Sequence, residues 1–258
     1  KMLKQVLLAI EENTAVAENV YRMVLKGDCV GVSAPGQFIN IKLSGHFLRR
    51  PISVSDYDKD SVVILYKIAG EGTKEMTELK PGTELDVLTG LGNGFDVEKA
   101  KEKGHVLLLG GGIGSAPMLA LCKELKAAGL RVSAVLGFNT AKELILADEL
   151  ESAGAEVTVM TADGSTADYC DADFEKGFVT DAPMLQGDID DCYYYACGPL
   201  PMLKSVFKNV KCDGELSFEE RMGCGFGACM GCTMHTVHGA KRVCKDGPVF
   251  AKSELLWD

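Results

Sequence analysis

Residues 106–118 read VLLLGGGIGSAPM: a short apolar run, three consecutive glycines, and a segment that resumes with helical spacing. An apolar run closed by a glycine turn reads as a buried strand. Residues 115–128 then repeat their apolar positions at the helical period, and Gly129 stands where a helix-ending glycine belongs. The alternation continues downstream, with strands predicted at 132–138, 157–161 and 192–196 and helices at 142–153 and 201–209. Strand–helix alternation of this kind predicts a parallel sheet with helices on both faces.

Upstream the rhythm differs. Short runs at 20–25, 37–43, 52–54, 62–68 and 84–88 alternate between apolar and polar residues. Pro35-Gly36, Pro81-Gly82 and Gly92-Asn93-Gly94 punctuate them, which predicts an antiparallel sandwich or barrel up to about residue 100. One short helix fits at 71–79. After Cys212 the chain turns rich in glycine and cysteine, with little room for long elements.

The 258 residues carry 27 Lys and Arg against 37 Asp and Glu, a net charge of −10, and 47% are hydrophobic. That length buries a core without disulfide staples, and the composition excludes wholesale disorder. An acidic balance without a basic run argues against nucleic acid or an anionic membrane as partner. The apolar stretch near the N-terminus is short and is interrupted by Glu11 and Glu12, so it does not read as a signal peptide. Cytoplasmic residence with reduced thiols is the expectation. Ten cysteines therefore need another reason, and five of them fall between Cys212 and Cys244.

Cys224, Cys229 and Cys232 are spaced C-x4-C-x2-C, and Cys244 follows after eleven intervening residues. Three close thiolates and one distant one make the plant-type [2Fe–2S] pattern. Gly223, Gly225, Gly227 and Gly231 let the loop fold around a cluster and expose N–H groups to its sulfides. The alternatives are zinc, which prefers two paired knuckles, or disulfides, and His235 and His238 stand as further possible ligands. Cys29, Cys122, Cys170, Cys192 and Cys212 read as ordinary thiols.

The turn at Gly110, Gly111, Gly112, Ile113, Gly114 and Ser115 joins a strand to a helix start, which suits phosphate. It departs from the dinucleotide fingerprint, because Pro117 replaces the last glycine counted from Gly112 and no acid follows the second strand at 137–140. A tight turn in an unliganded sheet is the bland alternative. Residues 195–202 (YACGPLPM) form a second turn between strand and helix, and two such turns at one carboxyl edge mark a ligand crevice.

The order of these motifs resembles the ferredoxin–NADP reductase superfamily. Arg50-Pro51-Ile52-Ser53 is similar to its flavin motif, Gly72-Thr73 follows near a short helix, and GGGIGSAPM and CGPLPM bracket the nucleotide domain. With the cysteine module at the C-terminal end, the chain resembles the electron-transfer subunits of type B dihydroorotate dehydrogenases over nearly its whole length. ADGS at 162–165, GFVTD at 177–181 and VCKDGPVF at 243–250 add to that likeness. The resemblance implies an antiparallel FAD-binding β-barrel (1–100), a parallel-sheet NAD(H)-binding α/β domain (101–211) and a small [2Fe–2S] module (212–258).

It also implies roles for individual residues. Arg50 would pair with the FAD pyrophosphate, with Gly72 and Thr73 as further donors. Ser53 would sit near the flavin N5 and act in hydride transfer, and Leu65, Tyr66 and Lys67 would line the adenine and ribose side. Ile52 stands where many relatives place a tyrosine that stacks on the flavin. The glycine turn with Cys197, Gly198 and Pro199 would hold NAD(H), with Cys197 near the reactive nicotinamide carbon. The absence of an arginine to clamp a 2′-phosphate after the second strand favours NADH.

A hydride site, a flavin and a one-electron cluster together make a converter between two-electron and one-electron chemistry. By the same resemblance an FMN-containing catalytic subunit, two copies of each chain in a heterotetramer, oxidises dihydroorotate for pyrimidine biosynthesis. Its electrons then pass through the cluster and FAD to NAD+. One alternative is the flavin/iron–sulfur subunit of an NADH-dependent ferredoxin:NADP oxidoreductase or a sulfhydrogenase. Some of those carry Asp at one cluster position, whereas all four are Cys here. A zinc-stapled nucleotide-binding regulatory protein is the alternative from another class.

Overall fold

The computed structural model describes residues 3–170, 172–187 and 189–257. The first six strands are β1 (Lys4–Ala17), β2 (Val20–Lys26), β3 (Phe38–Ile41), β4 (Arg50–Tyr57), β5 (Ser61–Lys67) and β6 (Glu84–Leu91), with α1 (Glu71–Met76) between the last two. They close into an antiparallel barrel in the order β1-β2-β5-β4-β3-β6. Leu8, Ile10, Met23, Leu25, Ile39, Ile41, Val54, Ile64 and Val87 fill its interior. The inward positions follow the two-residue period of each strand, which is the pattern the sequence carries.

Strand β1 goes beyond the sequence expectation, which took its apolar stretch only as too short for a signal peptide. It pairs with β2 on one side and β6 on the other, and bulges between Ile10 and Glu12 and between Ala15 and Ala17 reset its register. The reset leaves Glu12 on the outside, ion-paired with Arg22 at 2.5 Å.

From β7 (His105–Gly111) the chain builds the second sheet. It continues through α2 (Met118–Ala127), β8 (Val132–Phe138), α3 (Ala147–Ser152), β9 (Glu156–Thr161), β10 (Asp173–Lys176), β11 (Cys192–Cys197) and α4 (Leu200–Asn209). Then come β12 (Asp213–Ser217), the hairpin of β13 (Thr233–Thr236) and β14 (Gly239–Arg242), the short α5 (Val243–Asp246) and β15 (Val249–Ala251). The seven-stranded order is β10-β9-β8-β7-β11-β12-β15, parallel except for β15, which runs against β12. Strands β12 and β15 thus extend the sheet with residues beyond 211.

The helix expected at 142–153 is broken. A 3-10 turn at Ala141–Glu143 is followed by Leu144 in an extended conformation and by Leu146 at φ +66°, so the helix starts only at Ala147. Leu144, Ile145 and Leu146 are each less than a tenth exposed and belong to the core shared with α2. Burying three large apolar side chains, at roughly 1.5–3 kcal/mol apiece, outweighs a modest helical preference. That core also includes Val20, Leu65 and Phe95 from the barrel side, so barrel and sheet share one apolar seam. Ion pairs Lys67–Glu143 (2.8 Å) and Lys123–Asp56 (2.5 Å) flank the seam, as does the Tyr57 hydroxyl donating to Glu124 (2.6 Å). Among the described residues no helix is long and apolar enough to cross a membrane.

Candidate functional site

The predicted flavin motif lies on β4, with Arg50 opposite Ile41, Pro51 opposite Asn40, Ile52 opposite Ile39 and Ser53 opposite Phe38. Arg50 leans across to α1. Its Nη1 donates to the Leu48 carbonyl at 2.6 Å, and its Nη2 lies 2.7 Å from His46 Nδ1. A Cβ at Gly72 would overlap the guanidinium, so the glycine leaves room for Arg50 to lie in this position against α1. Thr73 is part-exposed, but its hydroxyl is already engaged in the turn. It accepts from the Ala69 and Gly70 amides and donates to the Gly70 carbonyl.

Ser53 is half-buried, and Ile52 packs partly into the barrel core. Tyr66 departs from its expected place on the ligand side. Its ring is 1% exposed inside the barrel and stacks on Tyr21 at 5.7 Å, while its hydroxyl donates to Asn13 Oδ1 at 2.8 Å. Strand alternation explains the difference, because Leu65 and Lys67 face the seam and the residue between them must face inward. Lys67 Nζ reaches Glu143, and Leu65 lines a groove of about 760 Å³ between the barrel and helices α2 and α3. None of the other predicted site residues lines that groove. Ser55 does, and its buried hydroxyl has no hydrogen-bond partner.

The two nucleotide turns meet because β7 and β11 are neighbours, with Cys197 paired to Gly110. A Cβ at Gly114 would lie 2.6 Å from the Gly198 Cα and 2.7 Å from the Cys197 carbonyl oxygen. One at Gly111 would run into Met202 and Pro199, and one at Gly110 would lie 2.6 Å from Ser115 Oγ. Gly111 and Gly114 therefore let the two turns close on one another, and Gly110 lets the first turn fold back over Ser115. Gly112 is different: at φ +53°, with nothing within 4 Å, it presents bare backbone to open space. Ile113 packs partly against the shared core. Ser115 is fully buried, and its hydroxyl has no partner. A turn that carries both open backbone at Gly112 and an unpartnered hydroxyl at Ser115 suits a ligand rich in hydrogen-bonding oxygen.

Cys197 is part-exposed at this crease, with Gly198 part-exposed and Pro199 exposed beside it. Desolvation pushes the Cys197 thiol up to about 12, against a hydrogen bond with Ser217, so it is a neutral thiol at pH 7.

An acid does stand at the end of β8, although none occurs in residues 137–140. Glu143 Oε2 accepts from the Asn139 amide (3.3 Å) and side chain (3.1 Å), and its other oxygen takes Lys67. Burial opposes its ionisation, but Lys67 and the Asn139 donors prevail and hold its carboxyl below the usual 4.5. The signal was present as Thr140-Ala-Lys-Glu143, a capping-box pattern, and Thr140 caps the turn by accepting from the Lys142 amide.

In the cysteine module the four thiols stand as two pairs. Cys224 Sγ accepts from the amides of Ala228 (3.2 Å) and Cys229 (3.4 Å), and Cys229 Sγ accepts from the Cys224 amide (3.4 Å). Cys232 Sγ accepts from the Cys244 amide at 3.4 Å. The first pair is at the surface, and the second is buried at 2% exposure for each residue. Burial disfavours the Cys224 thiolate, but the converging N–H groups outweigh it and bring the thiol down to about 6. Burial and the neighbouring Cys232 push Cys244 up to about 12.

Gly225 (φ +78°), Gly227 (φ +91°) and Met230 (φ +60°) turn the loop, and Arg242 Nη1 holds it by donating to the Gly227 carbonyl at 2.8 Å. Asn40 Nδ2 donates to the Cys224 carbonyl, tying the loop to the barrel. His235 and His238 lie exposed on the β13–β14 hairpin. Among the described residues no three potential ligands converge as they would around a single metal ion. Two thiol pairs rimmed with N–H donors suit a two-iron cluster, in which each iron takes two thiolates.

A closed barrel fused to a parallel sheet, with paired glycine turns at its carboxyl edge, defines a reductase of the ferredoxin–NADP reductase kind with an added cysteine module. The family model for the iron-sulfur cluster binding domain of dihydroorotate dehydrogenase B matches residues 219–256, and that for the oxidoreductase NAD-binding domain matches 108–208. The chain belongs to the family of electron transfer subunits of NAD(+)-dependent dihydroorotate dehydrogenase B. The member from Fusobacterium nucleatum is 42% identical over 95% of this chain and 96% of its own. That from Lysinibacillus sphaericus is 40% identical over 98% and 99%.

Among solved structures, the NADH-dependent reduced ferredoxin-NADP oxidoreductase is 30% identical with a TM-score of 0.84, covering 98% of this chain and 91% of that one. The FAD/NAD-binding domain of the Vibrio cholerae nitric oxide dioxygenase shares the fold, at 21% identity and a TM-score of 0.63 over 81% and 97%.

Proposed function

We propose that this chain carries electrons from an FMN-containing dihydroorotate-oxidising subunit to NAD+, using a [2Fe–2S] cluster and FAD, in a cytoplasmic complex with two copies of each subunit. The observation that carries the reading is the grouping of the four thiols into one surface pair and one buried pair. An outer pair flanked by the exposed Phe226 and Met230 is accessible to a partner, while the inner pair lies against the chain's own core. When bound, a flavin exchanges a hydride with NAD(H) and also passes single electrons, which the cluster carries one at a time.

The chain's own residues bind and orient these groups. Cys224 and Cys229 would hold one iron and Cys232 and Cys244 the other, with the amides of the glycine-rich loop as donors to sulfur. Arg50 beside Gly72 would take the flavin pyrophosphate, and Ser53, farther along the same strand, would hydrogen-bond to the ring. Gly112 and Ser115 take a phosphate or ribose of NAD(H), with Cys197, Gly198 and Pro199 forming the opposite lip of the crease. Cys197, held neutral, serves there as a small soft contact and not as a nucleophile. The functional units run 1–100, 101–211 and 212–258. Thiolate ligands suit a reducing compartment.

The test is an anaerobic absorption and EPR spectrum with metal analysis, on protein recovered with whatever copurifies. Flavin bands, a reduced [2Fe–2S] signal and an FMN dehydrogenase partner are expected. A colourless zinc protein would refute the reading. The 30% identity to the NADH-dependent reduced ferredoxin-NADP oxidoreductase structure favours a second reading, a flavin/iron–sulfur subunit of that kind. Copurification with a bifurcating or hydrogenase subunit would select it.

A further inference from the structure

His46, in the loop between β3 and β4, is mostly covered, with 16% of its side chain exposed. Both ring nitrogens are engaged. Nδ1 lies 2.7 Å from Arg50 Nη2, and Nε2 lies 2.8 Å from Glu75 Oε2 on α1. Arginine has donors only, so Nδ1 must be the accepting nitrogen. The proton then sits on Nε2 and is donated to the Glu75 carboxylate. The two contacts fix one neutral tautomer, and the three side chains form a line: Glu75 orients the ring, and the ring orients the guanidinium.

The Leu48 carbonyl takes a second N–H of the same fork. A guanidinium carries five N–H groups, so two are held by the protein and three remain, with the plane of the fork laid against Gly72. We propose that His46 is a positioning residue for the flavin site, holding Arg50 with its remaining N–H groups presented to a diphosphate. This rests on the reading of Arg50 as the pyrophosphate ligand. Neither the arginine motif nor the spacing of the sequence marks His46 or Glu75, which the fold brings together from 29 positions apart.

The experiment uses the full chain stripped of flavin, titrated separately with FAD and with riboflavin, which has no phosphate, and followed by flavin fluorescence. H46A should weaken FAD about tenfold, the usual worth of one orienting hydrogen bond to a charged group, and leave riboflavin unchanged. H46N, whose Oδ1 takes the place of Nδ1 as acceptor for Arg50, should recover most of that loss. R50A should weaken FAD at least as much as H46A.

If R50A loses FAD while H46A keeps wild-type affinity, the positioning role is wrong and the Arg50 reading stands. If R50A itself keeps wild-type affinity, the Arg50 reading falls and takes this one with it. Equal losses in H46A and H46N, or a matching loss of riboflavin, would make His46 a packing residue and overturn the proposal.

Discussion

Gly114→Ala is the most direct test of how the nucleotide crease is built. The new methyl would sit 2.6 Å from the Gly198 Cα and 2.7 Å from both the Gly198 nitrogen and the Cys197 carbonyl oxygen. All three are backbone atoms, so no side chain can rotate away. Comfortable carbon contacts lie near 3.5–4.0 Å, so the two turns must separate by about 1 Å. Overpacking of this kind costs about 1–3 kcal/mol. Gly114 is not in the left-handed region, so alanine recovers about 0.4–1 kcal/mol through the unfolded chain.

The net loss is then about 0–2.6 kcal/mol, or a fall in Tm of up to roughly 10 °C for a chain of this length. Calorimetry reads the stability, and the KM for NADH in a ferricyanide assay reads the crease, where a rise of about tenfold is expected. Gly112→Asn is the control, because asparagine tolerates φ +53° and its side chain enters open space. It should leave the unliganded Tm within about 1 °C. A Gly114→Ala protein with unchanged Tm and unchanged KM would show that the turns do not pack as described.

Cys229→Ser should abolish the [2Fe–2S] EPR signal while flavin-dependent NADH oxidation with ferricyanide continues; dihydroorotate-to-NAD+ transfer surviving in the assembled complex would refute the relay. Glu215, 3% exposed, accepts from Lys99 at 2.6 Å and from the Asp96 amide at 2.9 Å, and links β12 to the segment that leaves the barrel. Glu215→Ala strands the Asp96 amide and Lys99; with Lys99 44% exposed, the loss should be about 1–3 kcal/mol, read by denaturant melts. For Glu143 the folded pKa is depressed, so its contribution is fully present above about 4.5 and is lost as pH falls through the folded value. Glu143→Gln should therefore be less stable than wild type at pH 7, with the gap closing below about pH 4.5; a gap independent of pH would refute the charge argument.

What the sequence revealed and what it hid divide along physical lines. Strand β8 was legible to the residue and β11 nearly so, because both faces of these strands are buried and the apolar run marks their length, whereas β7 runs on past its apolar run through Gly110 and Gly111. Strand β10 was missed because it is an edge strand with exposed, charged residues. Strands β12 and β15 were hidden inside a stretch whose composition pointed to loops, and their three to five residues pair only through the fold. The glycines of 110–114 were legible as a turn, but their division of labour was not. Whether a glycine faces a ligand or another backbone depends on a segment some 85 residues away. Glu143 and His46 share that limit, since a ligand's neighbours are chosen by which chain ends a sheet brings together.

The thiol loop raises a related point about why the cluster module belongs to this fold. One-electron transfer depends on a fixed separation between cofactors, and a flexible tether would not supply one. The module is fastened on two sides. Toward the barrel, Asn40 of β3 donates to the Cys224 carbonyl, and Asn93, just past β6, donates through its amide to Gly247 (2.6 Å) and through its side chain to Asp246 (2.9 Å). Toward the sheet, β15 pairs with β12, whose other neighbour is the β11 strand that ends at Cys197. Cys232 and Cys244 belong to the same apolar cluster as Leu91 of the barrel and Leu109 of the sheet. The buried thiol pair is thus part of the core that joins the other two units, and the surface pair is free of it. That division leaves the buried pair fixed against both the barrel and the sheet and the surface pair open to solvent.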